Sequence, residues 1–109
     1  MIDLFNYERR KSSVTHVGAL DMGGDNPVRI QSMTTTNTND TEASVAQAKR
    51  IIAADGELVR LTTQGKREAE NLKNINVKLR AEGITTQLCA DVHFNANVAD
   101  VAALYAEKV

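Results

Sequence analysis

The pattern that most restricts the fold is one that occurs three times. A short run with alternating apolar residues is followed by polar, turn-forming residues and then by helical periodicity. The runs are 28–33 (VRIQSM), Leu58–Thr63 (LVRLTT) and Gln87–Val92 (QLCADV). They start at residues 28, 58 and 87, about 30 residues apart, which is the size of one βα unit. The first helix is expected from Asp40 or Thr41, either of which can cap the free N–H groups. Glu42 then suits its first turn, and Val45, Ala48 and Ile52 form its apolar stripe. Gly56 is expected to supply the left-handed residue that ends it. The second helix should cover Lys66–Ala81, with Ala69, Leu72, Ile75 and Leu79 on one face and Gly83 as the stop. The third should begin after Asn95 or Asn97, with Val98, Val101, Ala102 and Tyr105 inward. Ahead of the first unit, residues 14–22 (VTHVGALDM) read as part of a small hairpin turning at Gly23-Gly24 and leading into the first strand. His16 is expected there as a surface strand residue.

Strand–helix alternation implies an α/β fold with parallel strands under helical cover. Strands buried between two helix layers are apolar on both faces. Here one face is apolar (Val28 and Ile30; Val59 and Leu61; Leu88, Ala90 and Val92). The other carries Arg29, Gln31 and Met33; Arg60 and Thr62; Gln87, Cys89, Asp91 and His93. That asymmetry suits a (β/α)₈ TIM-type barrel, in which helices cover the outside and a polar site lies inside near the C-terminal mouth. A whole barrel needs about 250 residues, and this chain has 109. Three units leave open strand edges and an uncovered sheet face. The expected architecture is therefore a partial barrel, an N-terminal hairpin followed by three βα units. Residues 1–109 would be the N-terminal part of a barrel domain in a longer protein, or a chain that pairs with copies of itself, a homodimer being the simplest case.

Composition narrows the function. Hydrophobic residues make up 42%, enough for a core, and aromatics only 4%, so Ala, Val, Ile and Leu must build it. The net charge of −1 argues against a nucleic-acid partner, which demands clustered Lys and Arg. The one basic run, Arg9-Arg10-Lys11, reads as a solvated end. Cys89 is the single cysteine, so there is no internal disulfide and no complete thiolate metal site. It reads as a small buried hydrophobe. No stretch approaches a membrane span, and MIDLFNYERRKSS lacks the apolar core of a secretion signal. A cytoplasmic protein is expected.

In a barrel the site lies at the C-terminal strand ends. The candidates there are Gln31, Ser32, Met33 and Thr34; Arg60, Thr62 and Thr63; Asp91 and His93. Arg60 carries a planar fork of donors suited to phosphate or carboxylate. Asp91 and His93 face the same way, suited to orienting a hydroxyl or moving a proton. Thr34-Thr35-Thr36 and Thr62-Thr63 offer hydroxyls to oxyanions. Each has a plainer reading. Arg60 and Asp91 also suit a structural ion pair between adjacent strands, and the Thr runs also suit turns and caps. Asp-x-His as half a metal site has no second His or Cys cluster beside it. There is no glycine-rich phosphate loop.

Four stretches in order carry a resemblance: RRKSSVTHVG (9–18), NPVRIQSMTTTNTND (26–40), ELVRLTTQGKREAENL (57–72) and ADVHF (90–94). Together they resemble the N-terminal part of hydroxymethylbutenyl diphosphate synthases, the iron–sulfur reductases of non-mevalonate isoprenoid biosynthesis. VRLTTQGKREAE resembles the long, three-domain form. The resemblance implies a barrel mouth that binds methylerythritol cyclodiphosphate and a [4Fe-4S] cluster whose ligands lie beyond residue 109. It also implies ferredoxin or flavodoxin as electron donor. By position, Arg60 is implied to contact the diphosphate, and Asp91 and His93 to hydrogen-bond the substrate. Gln31, Ser32 and Thr34 are implied to line its site, Thr62 is expected beside them from its place at the end of the second strand, and no metal ligand falls in this chain. Alone, the chain is expected to be inactive. Two other readings stand beside this one: a pterin-binding barrel transferase, and a non-catalytic α/β module with structural strand ends.

Overall fold

The computed structural model describes residues 3–6 and 8–109. Two short strands, β1 (Thr15–Val17) and β2 (Leu20–Met22), form an antiparallel hairpin in which Val17 pairs with Leu20. The hairpin therefore turns at Gly18-Ala19 and not at Gly23-Gly24, as expected from sequence. A two-residue turn needs a left-handed residue, and Gly18 supplies it at φ 58°. Gly23-Gly24 instead redirects the chain after β2. His16 is exposed on β1, with Nδ1 2.5 Å from Asp21 Oδ1.

Three parallel strands follow: β3 (Gln31–Met33), β4 (Leu58–Thr63) and β5 (Gln87–Val92), in the order β3-β4-β5. β3 is shorter than expected. Gln31 pairs with Leu58, the first residue of β4, so residues 28–30 have no strand beside them. Val28 and Ile30, expected on the buried apolar face, are 91% and 53% exposed. Between them Arg29 turns to the hairpin and donates from Nε to the Asp21 carbonyl (2.8 Å).

The helices match the periodicity closely. α1 (Thr41–Ala53) is capped by Asp40, whose carboxylate accepts from the Ala43 N–H at 3.1 Å. Its left-handed exit residue is Asp55 (φ 69°) rather than Gly56. Gly56 is needed for space, since a Cβ there would lie 2.6 Å from Ile51 Cγ2. α2 (Lys66–Ala81) buries Ala69, Leu72, Ile75 and Leu79 and leaves through Gly83 (φ 79°). α3 (Ala96–Ala102) starts at an Asn95 cap and buries Val98 and Ala102. It ends before Tyr105, which still packs against the core.

All three helices pack on one sheet face. Their apolar stripes meet Val59, Leu61, Leu88 and Ala90 in a single core. The opposite face is half covered. At its N-terminal end Leu58 and Cys89 lie under Val17, Leu20 and Met22, so the hairpin plugs the bottom of the sheet. The C-terminal half of that face is open. After α3 the chain returns to the β5 edge, where Ala90 N donates to the Lys108 carbonyl (2.8 Å) and Lys108 forms a parallel bridge with Cys89. Arg80 braces this return: its guanidinium donates to the Ile84 and Thr86 carbonyls (2.9 Å each) and pairs with Glu107 at 3.1 Å. The radius of gyration, 16.0 Å, exceeds the roughly 13 Å of a compact domain this long.

Candidate functional site

Paired residues on neighbouring parallel strands point to the same side, and the side alternates along each strand. The register therefore sorts the candidates. Met33, Arg60, Cys89 and Lys108 form one row across four chain segments. Gln31, Leu58 and Gln87 form the row below it, and Thr62 and Asp91 the row above. All three rows lie on the face away from the helices. Ser32 pairs with Val59 and so belongs to the helix side, where it lines a groove of about 270 Å³ beside Ile30, Gln47 and Ile51. The structure does not bring Ser32 to the other candidates.

The open face holds a cavity of about 510 Å³ whose wall includes Gln31, Arg60, Cys89, Asp91, Phe94 and Lys108. At its rim Arg60 Nη2 lies 2.9 Å from Asp91 Oδ2, and His93 Nε2 lies 3.3 Å from the same oxygen. The ion pair between adjacent strands is thus present, and it lies inside the cavity wall. Asp91 is the most buried of the three, with 17% of its side chain exposed against 41% for Arg60 and 40% for His93. Partial burial pushes the Asp91 carboxyl up, but the hydrogen bonds and charges of Arg60 and His93 outweigh it and hold the group below the usual carboxylate range. Asp91 is therefore an anion at neutral pH. Cys89 moves the other way. Burial raises its thiol, against the opposing pull of Lys108 and Arg60, with Asp91 adding to the rise. It is a neutral, buried side chain under the hairpin, as expected.

Phe94 follows His93 with φ 58° and full exposure, its ring edge-on to the imidazole at a centroid distance of 6.0 Å. A bulky residue in the left-handed region is strained. Here the kink sends β5 into the Asn95 cap while His93 stays at the rim.

The threonines divide. Thr34 is buried, and both its N–H (2.9 Å) and its hydroxyl (3.5 Å) approach the Arg60 carbonyl. Thr38 donates its hydroxyl to the Thr62 carbonyl at 2.6 Å, and Thr36 shares a hydrogen bond with Ser44 at 2.9 Å. These contacts fasten the 34–40 loop to β4 and α1, which is the turn-and-cap role. Thr62 also lines a second, polar cavity of about 340 Å³ with Thr35, Thr38, Gln64 and Glu68.

Lys108 was not legible as a site residue. The repeat of about 30 residues places the next strand later, but α3 has only 7 residues, so the chain returns to the sheet early. The Tyr105-to-Lys108 stretch also has no strand-like alternation.

The geometry is that of one wall of a barrel: parallel strands, helices outside, polar residues inside at the C-terminal ends. Residues 12–109 match the model of the GcpE TIM-barrel domain. The chain belongs to the GcpE TIM-barrel domain family. Its relatives include proteins named 4-hydroxy-3-methylbut-2-en-1-yl diphosphate synthase (flavodoxin). The one from Phocaeicola vulgatus is 70% identical over 108 residues, 99% of this chain and 18% of the relative. That from Bacteroides fragilis is 67% identical over 99% of this chain and 17% of the relative. That from Chlorobaculum tepidum is 42% identical over 97% and 14%. This chain thus spans less than a fifth of the length of these GcpE-domain proteins. Its described residues do not fit an iron–sulfur cluster. They offer one buried thiol, Cys89, where a [4Fe-4S] cluster takes four ligands, and no group of three or more His, Cys, Asp or Glu converges among them. Among the described residues no helix is long and apolar enough to cross a membrane.

Proposed function

We propose that this chain forms part of the substrate-binding barrel wall of a cytoplasmic 4-hydroxy-3-methylbut-2-en-1-yl diphosphate synthase. The whole protein would convert 2-C-methyl-D-erythritol 2,4-cyclodiphosphate to 4-hydroxy-3-methylbut-2-enyl diphosphate for isoprenoid biosynthesis. That conversion opens the ring, consumes two electrons and two protons, and releases water. The electrons come from outside this chain, and we take flavodoxin as the donor because the relatives' names specify it.

The observation that carries the reading is the Arg60–Asp91–His93 group on an open, inward-facing wall at the C-terminal strand ends. Arg60 uses one arm on Asp91, and its remaining N–H groups are free to take a diphosphate oxygen, a charge-assisted contact. His93, at the rim, has Nε2 held by Asp91, which leaves Nδ1 to orient a substrate hydroxyl or exchange a proton with it. Gln31 can donate an amide hydrogen bond from below, and Thr62 a hydroxyl from the neighbouring row. Thr34 serves indirectly by fixing the backbone of Arg60, and Ser32 has no part.

Calorimetric titration of the full-length protein with the cyclic diphosphate tests this. Binding should weaken by at least ten-fold on Arg60→Ala, since a hydrogen bond to a charged group contributes about 1.5–3 kcal/mol. Equal binding by the variant would remove Arg60 from the site.

A further inference from the structure

Two cations face the main cavity, and only one of them is neutralised. Arg60 is held by Asp91. Lys108 is half-buried in the same row, on the far side of Cys89, and lines the same cavity. Among the described residues no carboxylate pairs with its ammonium. Asp91, the acid on that wall, is engaged by Arg60 and His93. Glu107, its neighbour in sequence, is tied to Arg80 and to the Leu88 N–H (2.6 Å). Cys89, between the two cations, stays a neutral thiol because burial disfavours the thiolate. On the cavity wall Arg60 and Asp91 offset each other, and the remaining positive charge lies at Lys108.

A charged ammonium enclosed in a protein requires an anion or water. Neighbouring strands are about 4.8 Å apart, so two strand spacings put the Arg60 and Lys108 backbones about 10 Å apart. Their long side chains can close on one anion from both sides.

We propose that Lys108 is a further substrate-binding residue, one that takes the anionic phosphate oxygens of the ligand while Arg60 holds the same group from the opposite side above Cys89. The inference rests on the functional reading above and deepens it. It moves the strongest anion attraction from the Arg60–Asp91 pair to the β5 edge.

The test uses the full-length protein, with inorganic diphosphate and the cyclic diphosphate as separate titrants. Lys108→Ala and Lys108→Gln should each bind inorganic diphosphate about ten-fold more weakly at an unchanged melting temperature. Lys108→Arg should recover most of the affinity, because charge rather than side-chain length is what the site needs. Lys49→Ala, which removes a surface lysine paired with Glu82, should change nothing. If Lys108→Ala does not fold, the Gln and Arg variants decide between them. Wild-type-like affinity in Lys108→Gln overturns the proposal. Lys108-dependent binding of inorganic diphosphate without binding of the cyclic diphosphate leaves Lys108 standing and removes the assigned substrate. Binding of neither titrant removes both.

Discussion

Asp91 Oδ2 receives both Arg60 and His93, so this one carboxylate sets the position of two side chains. Electrostatics alone says that deleting an acid beside an anion site strengthens anion binding. Positioning says the reverse, because Arg60 loses the partner that aims it. Asp91→Ala should therefore weaken diphosphate binding in the full-length protein, and the effect should shrink to less than two-fold when Arg60 is already Ala. Residues in one network are coupled in this way. Additive losses in that double-mutant cycle would mean that Asp91 touches the ligand itself. Acid titration supplies a second check. The carboxyl is lowered in the folded protein, so its contribution to stability is complete above the ordinary value near 3.9 and is lost as pH falls through the lower folded value. Denaturant unfolding should show a steeper loss of stability below about pH 4 in wild type than in Asp91→Asn, and no difference in slope between pH 6 and 8.

At the scale of elements, α2 shows how far periodicity alone reaches. Its stripe of Ala69, Leu72, Ile75 and Leu79 was readable from spacing, and all four are fully buried. Leu72→Ala should cost the full-length protein about 3 kcal/mol of stability, the usual range for an emptied Leu site. Val77→Ala, on the exposed side of the same helix, should stay within about 0.5 kcal/mol. Equal losses in chemical denaturation would contradict the assigned faces. β3 shows where the same reasoning stops. The alternation of Val28, Ile30 and Ser32 is as regular as that of β4, yet pairing begins only at Gln31 because β4 begins at Leu58. Strand length is a property of the partner as well as of the strand. The hairpin likewise chose Gly18 over Gly23-Gly24: both are competent turn sequences, and only the docking of Val17, Leu20 and Met22 onto Leu58 and Cys89 separates them.

At the scale of the whole molecule, the helix side is a finished core and the inner side is a wall facing open space. β3 has one free edge, and the upper half of β5 beyond Lys108 has another. Unpaired strand edges recruit other chains. The 109-residue chain on its own should therefore run as oligomers in size-exclusion chromatography with light scattering, and should bind an apolar dye. A monomer that melts in one cooperative step would contradict this.

The sequence by itself determined the βα order, the helix faces, caps narrowed to Asp40 or Thr41 and to Asn95 or Asn97, and a polar strand face bearing Gln31, Arg60, Asp91 and His93. These follow from local periodicity and capping chemistry, which act over a few residues. Two things were left to the tertiary structure. It made Arg60 and Asp91 a bonded pair and brought Lys108 back into the row of Arg60 and Cys89. Each depends on the register between segments roughly 20 to 30 residues apart, and a shift of one residue exchanges the two faces of a strand. Backbone pairing and hairpin packing choose that register, and neither is a property of a local run of sequence.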